Sequence, residues 1–227
     1  MNPSATLLAC GLVDASGIAG SRGTDVTWAS LGTPAPGGPS TMKHVFDKQD
    51  ATFRRIDLPA RALVLACEAA DLGAVLDEEQ RNRTAIVVET DIGSLATDLA
   101  FARSLGEELV HAGIFPYSLT STCLGEIALR YKLRGASVSV SVTAERRGAA
   151  LREALRMLAG GECEHVLTGT VEALLEPAHG HEAQVRAVVA LLGRSEAADA
   201  ARSAGLGEVA WPDERDDPFV ALARRCR

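Results

Sequence analysis

Aromatic residues are scarce, at 4% of the 227-residue chain, with two Trp, two Tyr and five Phe. A core that must be filled by Ala, Leu and Val suits stacked layers of helix and sheet better than an aromatic-rich sandwich. The five cysteines, Cys10, Cys67, Cys123, Cys163 and Cys226, are odd in number and never form a CxxC pair. That spacing suggests neither a disulfide framework nor a zinc site, so no metal is expected and a reducing cytoplasm fits best. No basic stripe with interleaved aromatics is present, and the formal net charge of -7 argues against a nucleic-acid footprint. Long apolar runs are also missing: MNPSATLLACGLVDASG at the start is too short for a membrane span and lacks the charged flank of a secretion signal. What is present is 47% hydrophobic residues, enough to fill the core of a single domain over residues 1–227.

Along the chain, Ala5 to Val13 predicts a short buried strand, and Thr24 to Leu31 a second strand or an edge. The run Gly32 to Ser40 is too dense in Gly and Pro for regular structure, and the polar stretch after it extends a flexible loop over 32–50. Pro59 opens a helix ending near Leu76, with Leu63, Ala66, Cys67, Ala70 and Val75 as its apolar face. Ala85, Ile86, Val87 and Val88 form an unbroken apolar run, the mark of a strand buried on both faces. A helix from Leu95 to about His111 follows, with Leu95, Leu99, Phe101, Leu105 and Leu109 directed inward and Gly113 as its stop.

Ile114 to Ser118 is a turn around Pro116, and Leu119 to Leu133 is an amphipathic stretch whose start is rich in hydroxyls. Two readings of that start stand. In one, the hydroxyls cap the helix while Cys123 and Gly125 allow another helix to approach; in the other, Cys123 is a thiol activated by a helix N-terminus. His165 to Gly169 and Gln184 to Leu192 are further strands, Ser195 caps a helix over Glu196 to Ala204, and Glu208 to Trp211 is a short edge. His179 and His181 in EPAHGHE read as a solvated loop, for want of a third metal ligand. Pro218 opens a short basic helix with an apolar stripe of Phe219, Leu222 and Ala223, too short to stand alone, so 217–227 is expected to dock on the rest.

One stretch organises the others. Gly135 to Leu158 holds a period-2 run, with Val138, Val140 and Val142 on one side and Ser137, Ser139 and Ser141 on the other, then a turn, then a helix. A strand running straight into a helix exposes the junction residue, a position where many folds place a nucleophile. Here that residue is Glu145. The strand is either an edge that another chain can extend or an inner strand of one sheet. Strands alternating with helices predict an α/β fold with a mixed, mostly parallel sheet covered by helices.

The residues from Ile56 to Ala173 resemble the N-terminal half of a β-ketoacyl synthase of the thiolase-like fold. Leu58 to Asp71 is similar to the helix before the family's second strand, and IVVETDIGSL to that strand and its turn. FPYSLTSTCLGEIALRYKLRGAS and VTAERRGAALREALRMLAGGECEHVLTGTVEAL resemble the segments before and after the nucleophile. The resemblance implies a thiolase-like half with a five-stranded sheet. It sets Thr143, Ala144 and Glu145 on the family's Thr-Ala-Cys, and Gly148 on the Gly of the next turn. Glu145 then stands where the acyl-accepting cysteine belongs, and a carboxylate cannot take that role. The family's two catalytic histidines lie in a C-terminal half that this chain does not reach.

Both departures make the chain similar to a short chain length factor, the inactive partner of a ketosynthase in type II polyketide systems, of the kind that accompanies aryl polyene or fatty-acid-like synthesis. That implies no catalytic residue and no cofactor. It also implies a ketosynthase subunit as partner, in a heterodimer or heterotetramer, and an acyl carrier protein reached through that complex. The interface and acyl tunnel would be formed by Phe115, Tyr117, Leu119, Thr122, Cys123, Val138, Val140, Val142, Thr143 and Glu145. In that role Glu145 holds the junction by hydrogen bonding, with Arg146 and Arg147 as charge partners. The alternatives are a decarboxylase of the same fold, an acyltransferase using Cys123, or a purely structural partner.

Overall fold

Ten consecutive residues, His165–Leu174, are buried along their whole length, and so are the seven of Thr84–Thr90. Strands of that kind need cover on both faces, and they form the middle of the sheet. The computed structural model describes residues 3–31, 41–106, 110, 112–194, 206–213 and 217–227. Its strands are β1 (Ser4–Asp14), β2 (Gly17–Gly20), β3 (Asp25–Thr27), β4 (Thr84–Thr90), β5 (Ser137–Ser141), β6 (His165–Leu174), β7 (Gln184–Gly193) and β8 (Glu208–Ala210). They form one sheet in the order β3-β2-β1-β7-β6-β4-β5, with β8 also paired to β1.

The sheet is mixed. Among the five long central strands, β1, β6, β4 and β5 run one way and β7 runs against them. The expected five strands are therefore there, but β2, β3 and β8 widen the sheet to eight, and five of its seven pairings are antiparallel. The expected strand over Thr24 to Leu31 is β3 for three residues and then the one-turn helix α1 (Trp28–Leu31). Trp28 leaves the strand because its indole N–H donates to the carbonyl of Asp14, at 2.7 Å.

Of the expected 32–50 loop, residues 32–40 lie outside the described ones, and Thr41–Phe46 is the helix α2 with Met42 buried. An apolar anchor accounts for the helix in a polar stretch. The helix opened by Pro59 is α3 (Leu58–Ala69), capped by Asp57, whose carboxylate accepts from the N–H of Ala60 at 3.1 Å. It is buried on nearly every side, with Ala62, Val64 and Leu65 covered as well as the expected stripe. It breaks at Asp71, whose φ is 52°, before the short turns α4 (Leu72–Val75) and α5 (Glu78–Asn82). α3 lies close on β1 and β2: a Cβ on Gly11 or Gly20 would sit 1.9 Å from a backbone carbonyl of Ala66 or Ala69.

The next helix, α6 (Leu95–Ser104), is shorter than expected and does not bury the expected face. Its covered residues are Thr97 and Ser104, while Leu105 just beyond it is 60% exposed; Leu109 and His111 lie outside the described residues. A 3₁₀ segment, Ala112–Ser118, leads to α7 (Thr122–Tyr131), which buries Cys123, Leu124, Ile127 and Tyr131. The hydroxyls before α7 do not cap it: Thr122 donates back to the carbonyl of Pro116 at 2.6 Å. Nor is Gly125 a close approach, because a Cβ there would meet open space.

A second 3₁₀ turn, Ala144–Arg146, joins β5 to α8 (Ala149–Gly160). The helix expected over Glu196 to Ala204 lies outside the described residues. The last helix, α9 (Pro218–Arg225), packs on β1 and β7 with Phe219, Leu222 and the following Cys226 buried. Two cores result. One lies under α3 and α7, and the other under α8 and α9, on the opposite face of the sheet. No helix among the described residues is long and apolar enough to cross a membrane.

Candidate functional site

β5 (SVSVS) pairs with β4 in parallel, and on its other side it is the end of the sheet. The reading of it as an inner strand does not hold. Its ends, Ser137 and Ser141, are exposed, and Val138 and Val140 pack partly onto the α8 layer. Val142 lies just past the strand and extends the ladder, its N–H donating to the carbonyl of Thr90 at 3.0 Å. Thr143 is exposed next to it.

The chain then turns through Ala144–Arg146, where Glu145 is exposed to water. A hydrogen bond from Thr143, with help from a backbone N–H, holds the Glu145 carboxyl below the usual carboxylate range. It is therefore an ionised, solvated group at neutral pH. The expected ion pair with Arg147 is not the one formed. Arg147 points inward, to Glu172 at 2.7 Å and Asp91 at 3.7 Å. Buried acids outcompete a solvated one for a guanidinium, because attraction is stronger away from water.

That inward turn belongs to a network beneath the junction. Gly148, at φ 89°, lets the chain enter α8 with the N–H groups of Gly148 and Ala150 both aimed at Glu89, at 2.9 and 2.8 Å. Glu89, at the end of β4, is fully buried and so fills the positive end of α8. Burial pushes its pKa up, against the opposing pull of those two N–H groups and of Arg147. Glu172 on β6 accepts from the N–H groups of Asp91 and Ile92, at 3.0 and 2.9 Å, from Thr90 Oγ1 at 3.2 Å, and from Arg147. Burial alone would lower the pKa of Arg147, but its hydrogen bond to Glu172 and the charges of Glu172, Asp217 and Asp91 more than offset that and raise it. Sequence reasoning passed over Glu89 and Glu172. The signal was available: an acid inside a strand buried on both faces must be paired.

Phe115, Tyr117, Leu119, Thr122 and Cys123 gather at the 3₁₀ segment and the start of α7, which packs against β5. Phe115 and Leu119 are 58% and 65% exposed, and the rings of Phe101 and Phe115 lie 5.4 Å apart, tilted by 52°. Tyr117 is half-buried, its hydroxyl donating to Glu126 Oε1 at 3.3 Å. Cys123 is buried on the inner face of α7, and its thiol donates to the carbonyl of Thr120 at 3.1 Å. Burial, then the charge of Asp57, pushes that thiol up to about 12, so it is not a thiolate at neutral pH. Cys123 belongs to the core under α7, whereas Val138 and Val140 pack towards α8. The sheet therefore separates them, and the ten residues do not line one channel within this chain. A cleft of about 510 Å³ opens at the junction, lined by Ser141, Val142, Thr143, Arg146, Ala149 and Arg152. No cluster of three metal-ligating side chains occurs among the described residues, and His179 is exposed on its loop.

The family model of the β-ketoacyl synthase N-terminal domain matches residues 27–208. No curated protein matches the chain. Among solved structures, the ishigamide ketosynthase/chain length factor is 18% identical with a TM-score of 0.61, over 86% of this chain and 63% of that one. A ketosynthase, ApeO, in complex with its chain length factor, ApeC, from Xenorhabdus doucetiae is 22% identical with a TM-score of 0.51, over 62% of this chain and 59% of that one. The type II polyketide acyl carrier protein in complex with its ketosynthase, AntDE:AntF, is 17% identical with a TM-score of 0.55, over 87% of this chain and 64% of that one. This chain spans less than two thirds of the length of each. The architecture they share with it is the thiolase-like one, an open mixed sheet covered by helices.

Proposed function

Because this chain belongs to the family of the β-ketoacyl synthase N-terminal domain, we propose that it serves as a chain-length-factor-like subunit, accepting no acyl group itself and pairing with a ketosynthase. The observation that carries the reading is Glu145. It sits at the β5–α8 junction, where the sequence sets the family's cysteine, as an exposed and ionised carboxylate. Such a group cannot form the thioester through which an acyl chain leaves a carrier protein. The acyltransferase alternative needs a thiolate at Cys123, and burial keeps that thiol protonated.

Pairing is supported by what the chain leaves uncovered. The outer edge of β5 pairs with no strand among the described residues, and Leu129 is exposed on α7, the helix beside it, while Phe115 and Leu119 are exposed in the segment that leads into α7. A partner strand added to that edge satisfies the first and covers the second. The fold neighbours that are complexes of ketosynthases with chain length factors or with an acyl carrier protein favour a ketosynthase in that place. The carrier protein then meets the complex, and the partner-facing surface limits the length of a polyketide or polyene chain.

The test is co-expression with a ketosynthase encoded beside this chain. The two are expected to co-purify, and a radiolabelled acyl carrier protein is expected to load the partner's cysteine only. Failure to co-purify, or label retained on this chain, sinks the proposal.

A further inference from the structure

A second cleft, sharing no residue with the junction, lies where the start of α3, one face of α6, the first 3₁₀ segment and the turn after β6 meet. Its volume, about 460 Å³, falls in the usual range of small-molecule sites, roughly 300–1,000 Å³. The walls are apolar, with Leu99, Ile114 and Leu174 among them, while Arg54, Arg55, Arg61 and Arg103 all contribute to the lining. Arg103 is one turn beyond Leu99 on α6 and therefore shares its face. Four guanidinium groups thus gather in a chain whose formal net charge is -7.

Three of them, Arg54, Arg55 and Arg103, are open to a ligand. Asp57 is occupied, one oxygen accepting from the N–H of Ala60 at 3.1 Å and the other from Thr97 Oγ1 at 3.2 Å. Glu176 is exposed at the turn after β6 and is the other carboxylate of the lining. Arg61 is held by its Nε, which donates to the carbonyl of Ile56 at 2.8 Å. Arg54, Arg55 and Arg103 are exposed and form no ion pair among the described residues. Guanidinium forks grouped beside an apolar wall match an oxyanion on an apolar body, because the head can be held bidentately while the body leaves water.

We propose that this cleft binds an amphipathic oxyanion, with a phosphate or carboxylate head between Arg54, Arg55 and Arg103 and an acyl-like body along Leu99, Ile114 and Leu174. The inference stands apart from the proposed pairing, because every residue it uses lies on this chain.

Calorimetric titration of the full chain with octyl phosphate and with octanoate tests it, with inorganic phosphate and octanol as the head and tail alone. At least one amphiphile is expected to bind about tenfold or more tightly than either half, and less tightly as salt is raised. Which of the two binds identifies the head. Replacing Arg54 and Arg103 together by Ala is expected to weaken binding by about tenfold or more, and Glu176→Gln to tighten it by removing a like charge. All three side chains are exposed, so the variants should keep the parent melting temperature. Ala100→Phe, also at an exposed position in the lining, should block the cleft independently. Octanol binding as well as the anions, inorganic phosphate binding as well as octyl phosphate, no binding at all, or binding indifferent to the double arginine variant would each overturn the proposal.

Discussion

At the end of β6, Glu172 answers four donors from two other parts of the chain, and its side chain is 1% exposed. Truncating it strands the largely buried Arg147 without its main partner, so Glu172→Ala should lower unfolding stability by about 3–5 kcal/mol in a urea melt, with Glu172→Gln intermediate. Glu89 has a distinct signature in pH. Its folded pKa is raised, so its stabilising contribution is full below the unfolded carboxylate value and is lost as pH climbs through the folded one. As pH rises above the ordinary carboxylate range the parent should therefore lose more stability than Glu89→Gln, and parallel curves for the two would refute that assignment. Thiol chemistry provides a third readout. All five cysteines are buried, so the native chain should resist iodoacetamide at about pH 8, while Glu145→Cys should be alkylated rapidly at its exposed position.

Elements whose residues are buried for their own chain's sake were legible in the sequence. β4 and β7 carry the unbroken apolar runs Ala85 to Val88 and Ala187 to Leu192, and the helix expected after the β5 turn is α8, flanked by glycines in left-handed backbone, Gly148 at φ 89° and Gly161 at φ 74°. β2 was missed because GIAG has almost no side chains to pattern; its role is to let α3 come close. α6 was misjudged for the opposite reason. Periodicity reports that a face is apolar but not what covers it: Leu95 and Leu99 are only half-buried, and Leu105 is exposed. That distinction can be tested at Leu119 and Leu129, 65% and 80% exposed. Changing both to Glu should leave the melting temperature of the isolated chain nearly unchanged and abolish co-purification with a ketosynthase. A large loss of stability in the isolated chain would mean that these side chains serve its own core instead.

Across the whole molecule, one ladder carries the continuity of the sheet. β3, β2, β1 and β8 form one group and β6, β4 and β5 the other, and β7 is the strand hydrogen-bonded to both. Its register runs from Thr6 with Gly193 on one side to His165 with Gly193 on the other, so the same residues bridge the two groups. On a ribosome, this order has a consequence. β1, β2 and β3 can pair as their hairpins emerge, and the second group can form once β6 is out, yet the two cannot be joined until the segment ending at Gly193 has left the exit tunnel, with β8 following it. Until then β1 and β6 each present an open flank, and the nascent chain holds two half-sheets waiting for the same strand.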